Sequence, residues 1–245
     1  MKTIDLNCDV AEGIGNEAEL LLYISSCNIS CGLHAGNDRT IREVIDLAIK
    51  NGVAIGAHPS FDDRANFGRT EVHLPSLELK DLIKGQLLKL KGMTESAGGH
   101  LHHIKPHGAL YNMAAKSAKI SEVIVSAVEE IDTNLILFGL AESETQEAAK
   151  GRLKFVPEGF ADRKYQSMNQ LMPRSEGGLM TEIEEIKTHV LGLLVDNQVA
   201  VESGFESLHI ESLCVHGDTP QAVSTVKEIY DLLIVEGFEI KSIEG

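Results

Sequence analysis

A chain of 245 residues with 43% hydrophobic and 24% charged side chains is globular in composition and long enough for one β/α barrel. A formal net charge of −15, with 4% aromatic residues and no tryptophan, argues against nucleic acid and anionic membrane surfaces as partners. No apolar run approaches the roughly 18 residues of a membrane span, and residues 1–5 carry an early charge and no apolar signal core, so the expectation is a soluble cytoplasmic protein.

In chain order, short apolar strands are expected at residues 3–10, 28–31, 53–58, 102–107, 135–140, 155–160, 213–216 and 238–243. Helical segments lie between them. Ile41, Val44, Ile45, Ala48 and Ile49 recur with the spacing of one helix face, with Thr40 and Glu43 as a capping box ahead and Gly52 as the stop. Ile120, Val123, Ile124, Ala127, Val128 and Ile131 form a second stripe. Residues 159–178 are expected to be an irregular stretch ending in Gly177-Gly178, and long loops often carry function. Thr181 and Glu184 open a further helix, with Ile183, Ile186, Val190, Leu193 and Leu194 on its apolar face. Thr219-Pro220 starts the last one, with Val223, Val226, Ile229 and Leu233 facing inward. Seven or eight βα units with no Pro-, Gly- or Ser-rich linker give an α/β chain with one domain over residues 1–245. The alternation fits an open doubly wound sheet and a closed barrel alike. Cys8, Cys27, Cys31 and Cys214 make no C-x-x-C pair and are expected to be small, reduced, buried hydrophobes.

The polar residues gather at the C-terminal ends of these strands, where β/α folds do their chemistry. Strand alternation puts Asp5, Asn7 and Asp9 on one face, and does the same for His103, Lys105 and His107, and for His216 and Asp218. Such acids and imidazoles at a barrel mouth suit metal binding or general acid–base catalysis. His34, His58, His107 and His216 follow strands directly and are candidate functional residues, whereas His73, His100, His102, His189 and His209 are expected to be structural. Asp9 and Asp218 are candidate acids, although Asp218 also suits a cap before Thr219-Pro220. Lys105 suits a substrate carboxylate, a phosphate, or a barrel acid. Arg64 and Arg69 after the third strand and Arg163 after the sixth either make a local basic patch or pair with Asp62, Asp63 and Asp162 nearby. Pro157-Glu158 lies on the sixth strand. Neither a phosphate-cradling G-x-x-x-x-G-K-[ST] loop nor a G-x-G-x-x-G turn is present, so a nucleotide would need a different loop design.

Seven strings, in order, resemble the lactam-utilisation family, that of the 5-oxoprolinase A subunit. They are Asp5-Leu6-Asn7-Cys8-Asp9, Asn28-Ile29-Ser30-Cys31-Gly32-Leu33-His34-Ala35-Gly36, Gly56-Ala57-His58-Pro59, and Phe67-Gly68-Arg69. The match continues through Lys105-Pro106-His107-Gly108-Ala109-Leu110-Tyr111-Asn112, Phe160-Ala161-Asp162-Arg163 with Tyr165, and Cys214-Val215-His216-Gly217-Asp218-Thr219. Two departures are mild: Ala11-Glu12-Gly13 stands where the family commonly has Gly-Glu-Gly, and Glu211 where an Asp is common.

The resemblance implies a single distorted (β/α)7 TIM-like barrel, similar to that of polysaccharide deacetylases. It implies cleavage of 5-oxoproline (pyroglutamate) to L-glutamate coupled to hydrolysis of ATP to ADP and phosphate, with partner subunits B and C. ATP with Mg2+ would be a substrate pair, and no metal ligand set is specified. Carried onto this chain, Asp9 or Asp218 would be the general base and His58 or His107 the acid or oxyanion donor. Asp5, Asn7, His34, Arg69, Lys105, Arg163 and His216 would bind substrate or nucleotide. There are two rival readings, the first of which uses the same His and Asp set as metal ligands. One is a stand-alone metal-dependent deacetylase or amidohydrolase, the other a non-catalytic binding subunit of the complex.

Overall fold

Apart from the last, at residues 238–243, the strands expected from sequence are buried along nearly their whole length, as parallel strands wrapped by helices must be. A computed structural model describes residues 2–244. The first part of the chain runs β1 (Lys2–Val10), α1 (Glu17–Leu20), β2 (Ser26–Ser30), α2 (Asp38–Asn51), β3 (Ala54–His58), α3 (Ser76–Ser96) and β4 (Leu101–Ile104). It continues through α4 (Gly108–Lys116), α5 (Ala118–Glu129), β5 (Ile136–Leu140), α6 (Glu144–Ala149) and β6 (Phe155–Phe160). Then come β7 (Tyr165–Ser167), β8 (Gln170–Leu171), α7 (Ile183–Leu191), β9 (Gln198–Val201), β10 (Gly204–Ser207), β11 (Ser212–Val215), α8 (Ala222–Val235) and β12 (Phe238–Ile240).

Strands β1 to β6 lie side by side in chain order, and β11 joins β6 to β1, closing a seven-stranded parallel barrel. The closure runs from Asp5 opposite Ser212 to Cys8 opposite Val215. The expected closed (β/α)7 barrel is therefore the architecture, and an open doubly wound sheet is not. The expected eighth strand, β12, pairs only with residues 2–4 of β1, outside the ring. Alternation along β1 sends Leu6, Cys8 and Val10 into the apolar core shared with the helices, and Asp5, Asn7 and Asp9 toward the barrel axis. All four cysteines are free and buried.

Several local expectations are corrected. The first amphipathic helix, α2, is capped by Asn37, whose side chain accepts from the backbone N–H groups of Arg39 and Thr40. Thr40 and Glu43 do not form a capping box; Glu43 pairs with Arg39 on the surface instead. Asn37 reaches two orphan donors from outside the helix, which Thr40, already inside it, cannot do. Gly52 ends α2 in the left-handed region, as expected. Helix α7 starts at Ile183 without a side-chain cap, and α8 starts at Ala222, beyond Thr219-Pro220. Strand β4 stops at Ile104 rather than at residue 107, because Pro106 has no N–H to continue the ladder. The backbone stays extended even so, with Lys105 N–H donating to Ala57 O and His107 N–H to Pro59 O. Residues 159–178 are not wholly irregular: they contain the β7–β8 hairpin, too short to leave an apolar alternation in the sequence.

Candidate active site

Inside the barrel the polar side chains form two layers. The lower layer is a closed hydrogen-bond network. Asp5 Oδ1 accepts from Ser25 Oγ at 2.7 Å and Ser26 Oγ at 2.6 Å, and Oδ2 accepts from Ser212 Oγ. Asn7 Nδ2 donates to Glu158 Oε1 and Ser212 Oγ, both at 2.8 Å. Asn28 Nδ2 donates to Asn7 Oδ1 and Asp9 Oδ1, and Asn28 Oδ1 accepts from His103 Nε2 at 2.8 Å. Lys105 is the cation of this layer. Its Nζ reaches Glu158 Oε1 at 2.9 Å, Asp9 Oδ1 at 3.2 Å, Asn7 Oδ1 at 3.2 Å and Cys214 Sγ at 2.9 Å. Glu158 Oε2 accepts from the Tyr111 hydroxyl at 2.9 Å.

Burial alone would strip the Lys105 proton, but Asp9, Cys214 and Glu158 outweigh it and hold the ammonium above its ordinary range. Burial would likewise raise Asp9, yet His58 and Lys105 keep that carboxylate well below its ordinary range. Asp5 has no such cation, and burial pushes it up to about 6 against its serine hydrogen bonds.

The upper layer is a ring of three imidazoles and a carboxylate, and its protons can be assigned from fixed partners. A carbonyl only accepts. His58 Nδ1 therefore donates to Lys105 O at 2.6 Å, and His107 Nε2 donates to Phe67 O at 2.8 Å. Ser60 Oγ spends its proton on Phe61 O, so it accepts from His34 Nδ1 at 2.8 Å. In the neutral rings, His58 Nε2, His107 Nδ1 and His34 Nε2 are then bare. They point at one another and at Glu12. His58 Nε2 lies 2.9 Å from His107 Nδ1, and His34 Nε2 lies 3.2 Å from Glu12 Oε1. Glu12 Oε1 is also 3.7 Å from His107 Nδ1, and Asp9 Oδ2 is 3.4 Å from His58 Nε2.

Glu12, His34, His58 and His107 each offer one donor atom, all within 4.8 Å of one another, a set that could hold a metal ion. Burial, with His107 and His58 beside it, keeps His34 neutral, and burial with His58 beside it pushes His107 down to about 3. Burial, reinforced by Asp9 and Asp218, raises Glu12 well above its ordinary range.

The backbone builds this ring closely. Glu12 follows Ala11, which takes a positive φ of 61°. Gly68, with φ +65°, leaves room for the rings: a Cβ there would lie 2.8 Å from His107 Cδ2 and 3.0 Å from His34 Cβ. The His34 and His107 rings stack with centroids 3.8 Å apart. Gln86 of α3 fixes the loop behind them through both the N–H and the carbonyl of Ser60.

A cavity of about 400 Å³ opens over both layers, lined by Asp9, Glu12, His58, Lys105, His107, Arg69, Arg163, Arg174, His216 and Asp218, among others. Its rim is cationic. Arg69 and Arg174 both donate to Asp218 Oδ2, at 2.6 and 2.9 Å, and hold that carboxyl low against its burial. Arg163 lines the cavity too, but its Nε and Nη2 donate to Gly178 O and Met172 O, and burial pushes it down to about 10. His216 Nδ1 is 2.8 Å from Asp162 Oδ1. Arg64 pairs with neither Asp62 nor Asp63; it donates to Gly32 O and Gly36 O, tying down the turn after β2.

Of the residues singled out from sequence, Asp9, His58, His107, Asp218, Arg69, Lys105, Arg163 and His216 meet at this cavity. His34 sits behind it in the ring, and Asp5 and Asn7 lie beneath it, fully buried. Four participants carry no role that sequence alone assigns: Glu12, Glu158, Tyr111 and Arg174. Glu158 is visible there as a strand-end acid, and Glu12 only as part of an altered string; Tyr111 stands in a matched string, and Arg174 gives no signal.

A family model described as the LamB/YcsF family matches residues 4–245. A Geobacillus thermodenitrificans protein named as the A subunit of 5-oxoprolinase is 42% identical over 249 residues, covering 99% of this chain and 97% of the relative. The crystal structure of a lactam utilization protein from Thermus thermophilus superposes with a TM-score of 0.91 at 33% identity, covering 99% of this chain and all of that one. The polysaccharide deacetylase Bc1974 from Bacillus cereus, at 15% identity and a TM-score of 0.52, covers 100% of this chain and 93% of its own and shares the fold.

Proposed function

Because the chain belongs to the LamB/YcsF family, we propose that it opens 5-oxoproline to L-glutamate as the A component of an ATP-dependent 5-oxoprolinase assembled with subunits B and C. The observation that carries this reading is the pairing, in one cavity, of a cationic rim with a buried carboxylate–imidazole relay. Arg69 and Arg174 share the single Asp218 carboxylate, so the rim keeps net positive charge for the substrate carboxylate or a phosphate. Below it stands Asp9, held ionised and 3.4 Å from His58. Full-length relatives that carry the 5-oxoprolinase name support the choice of lactam.

A lactam amide is a poor electrophile. Transfer of a phosphoryl group from Mg·ATP to its oxygen activates the ring carbon. One water then attacks that carbon and opens the ring, and a second releases the phosphate, giving glutamate, ADP and phosphate. His58, beside Asp9, takes the proton of the attacking water on Nε2 and passes it across the 2.9 Å contact to His107 Nδ1, which returns it to the departing ring nitrogen. Asp218, engaged by two guanidiniums, is a weak base and serves better as the anchor of the rim than as the proton acceptor. Asp5 and Asn7 act from beneath, by fixing Ser212, Asn28 and Lys105.

The test is release of phosphate and glutamate from 5-oxoproline and Mg·ATP, with the chain alone and with its partner subunits. Equal release of both products, only in the complex, is expected; none with well-folded partners would overturn the reading. The converging bare nitrogens also favour a second reading, a metal-dependent amidohydrolase acting alone. That reading expects ATP-independent hydrolysis of an N-acyl substrate by the isolated chain, abolished by a chelator.

A further inference from the structure

The geometry points to a site for one divalent transition-metal ion of the zinc class, held by Glu12, His34, His58 and His107. The site rests on the ring's own geometry, and it is an alternative to the proton-transfer roles given above to His58 and His107, because the ion would occupy the same lone pairs. Tetrahedral ligands bonded at about 2.0–2.1 Å stand roughly 3.4 Å from one another. Around this ring the neighbouring donor atoms stand 2.9, 3.2 and 3.7 Å apart. Three nitrogens and one carboxylate oxygen suit zinc, cobalt or nickel rather than magnesium, which takes oxygen.

The outer nitrogens carry a second, independent sign. Each imidazole gives its remaining N–H to a fixed acceptor: Lys105 O for His58, Phe67 O for His107, and Ser60 Oγ for His34. Ligating histidines are oriented in this way, because the anchored proton forces the lone pair toward the metal. Hydrogen bonding alone would need two separate protons to satisfy the ring, one between His58 and His107 and one between His34 and Glu12. A single cation satisfies all four groups together. Three of the four residues line the cavity, so an ion there faces whatever enters it. Bound there, the ion would supply Lewis acidity toward a substrate oxygen.

The experiment uses the full chain, stripped with a chelator and titrated with Co2+, following the visible bands of low-coordinate cobalt and the binding stoichiometry. The parent is expected to bind one equivalent. His58→Ala and His107→Ala should abolish the bands, and Glu12→Gln should weaken binding at least tenfold. Ser60→Ala, which removes the His34 anchor and, beyond the ring, the hydroxyl's bond to Phe61 O, should weaken it roughly 10–100-fold. His100→Ala and His209→Ala, on exposed histidines, should leave it unchanged. If the two ring histidine variants fail to fold, Glu12→Gln and Ser60→Ala decide the matter. No stoichiometric cobalt on the parent, or cobalt held equally by Glu12→Gln and Ser60→Ala, would overturn the inference.

Discussion

The two polar layers inside the barrel are satisfied in opposite ways. In the lower layer every donor finds an acceptor within the chain: Asn28 spans Asn7, Asp9 and His103, and Lys105 sits against two carboxylates. In the upper layer the anchored protons point outward and the lone pairs point inward. Buried polarity is therefore not itself a mark of function; the direction of donors and acceptors is. A third place makes the same point from the other side. His102 Nδ1 and His103 Nδ1 also meet at 3.0 Å with both other nitrogens engaged, by Ile243 O and Asn28 Oδ1. There only two groups meet, no carboxylate joins them, and His102 is half-exposed.

If the lower layer is structural, breaking it should cost stability above all. The largest effect is expected for Lys105→Met, which leaves Asp9 and Glu158 buried without their cation. Removing one partner of a buried ion pair costs about 3–5 kcal/mol. Urea denaturation should read a loss of that size, and a loss below about 1 kcal/mol would make the lower layer dispensable.

Gly68→Ala tests the packing of the upper ring. A methyl group at a left-handed position, 2.8 Å from His107 Cδ2, should cost about 1–3 kcal/mol and turn the two stacked imidazoles. Unchanged stability together with unchanged cobalt binding would show that the ring is not held by this contact.

The third prediction concerns pH. Asp5 is raised to about 6 in the fold, against an unfolded value near 3.9. Between those values the folded state binds a proton that the unfolded state lacks, so Asp5 adds stability at low pH that is lost as pH rises through 6. His103 does the reverse: burial, with His102 and Lys105 nearby, holds it well below its ordinary range. It contributes stability above an unfolded value of about 6.5 that is lost as pH falls below it. The two oppose each other between about pH 4 and 6. Asp5→Asn should therefore steepen the acid-side loss of stability by up to about 1.4 kcal/mol per pH unit, and His103→Gln should flatten it. Parallel stability–pH curves for parent and variants would contradict this.

The smallest effect is expected at the turn that carries Glu12. Ala11 holds a φ of 61°, a position that costs an L-residue about 1–2 kcal/mol, whereas glycine there gives up only about 0.5–1 kcal/mol in chain entropy. Ala11→Gly should raise stability by up to about 1 kcal/mol, read as a higher thermal midpoint. A lower midpoint would mean that the methyl group packs usefully.

Much of this was legible in the sequence because strands and strand ends are local. The strand at residues 155–160 matches β6 in full, and the polar residues after the strands do converge at the mouth. What was not legible depended on distance along the chain or on backbone conformation. Asp218 reads as a free acid, yet it is bound by Arg69, 149 positions away, and by Arg174 from a stretch expected to be irregular. Glu12 lies in a turn with no periodicity, and only the positive φ of Ala11 aims it at His34. Asn37 took the place of the expected Thr40 cap because the helix begins at Asp38, which leaves Thr40 inside it. Asp5 and Asn7 share a face with Asp9, as alternation requires, but depth along the strand separates support from cavity.

If the upper layer, with Asp9 beneath His58, works on the substrate, losing one of its imidazoles should stop turnover without unfolding the barrel. The measurement is glutamate release by the reconstituted complex carrying His107→Ala in this chain, with the thermal midpoint taken on the same sample. A loss of roughly 100-fold or more with a midpoint close to that of the parent is the expected result. Parental turnover in that well-folded variant would contradict it.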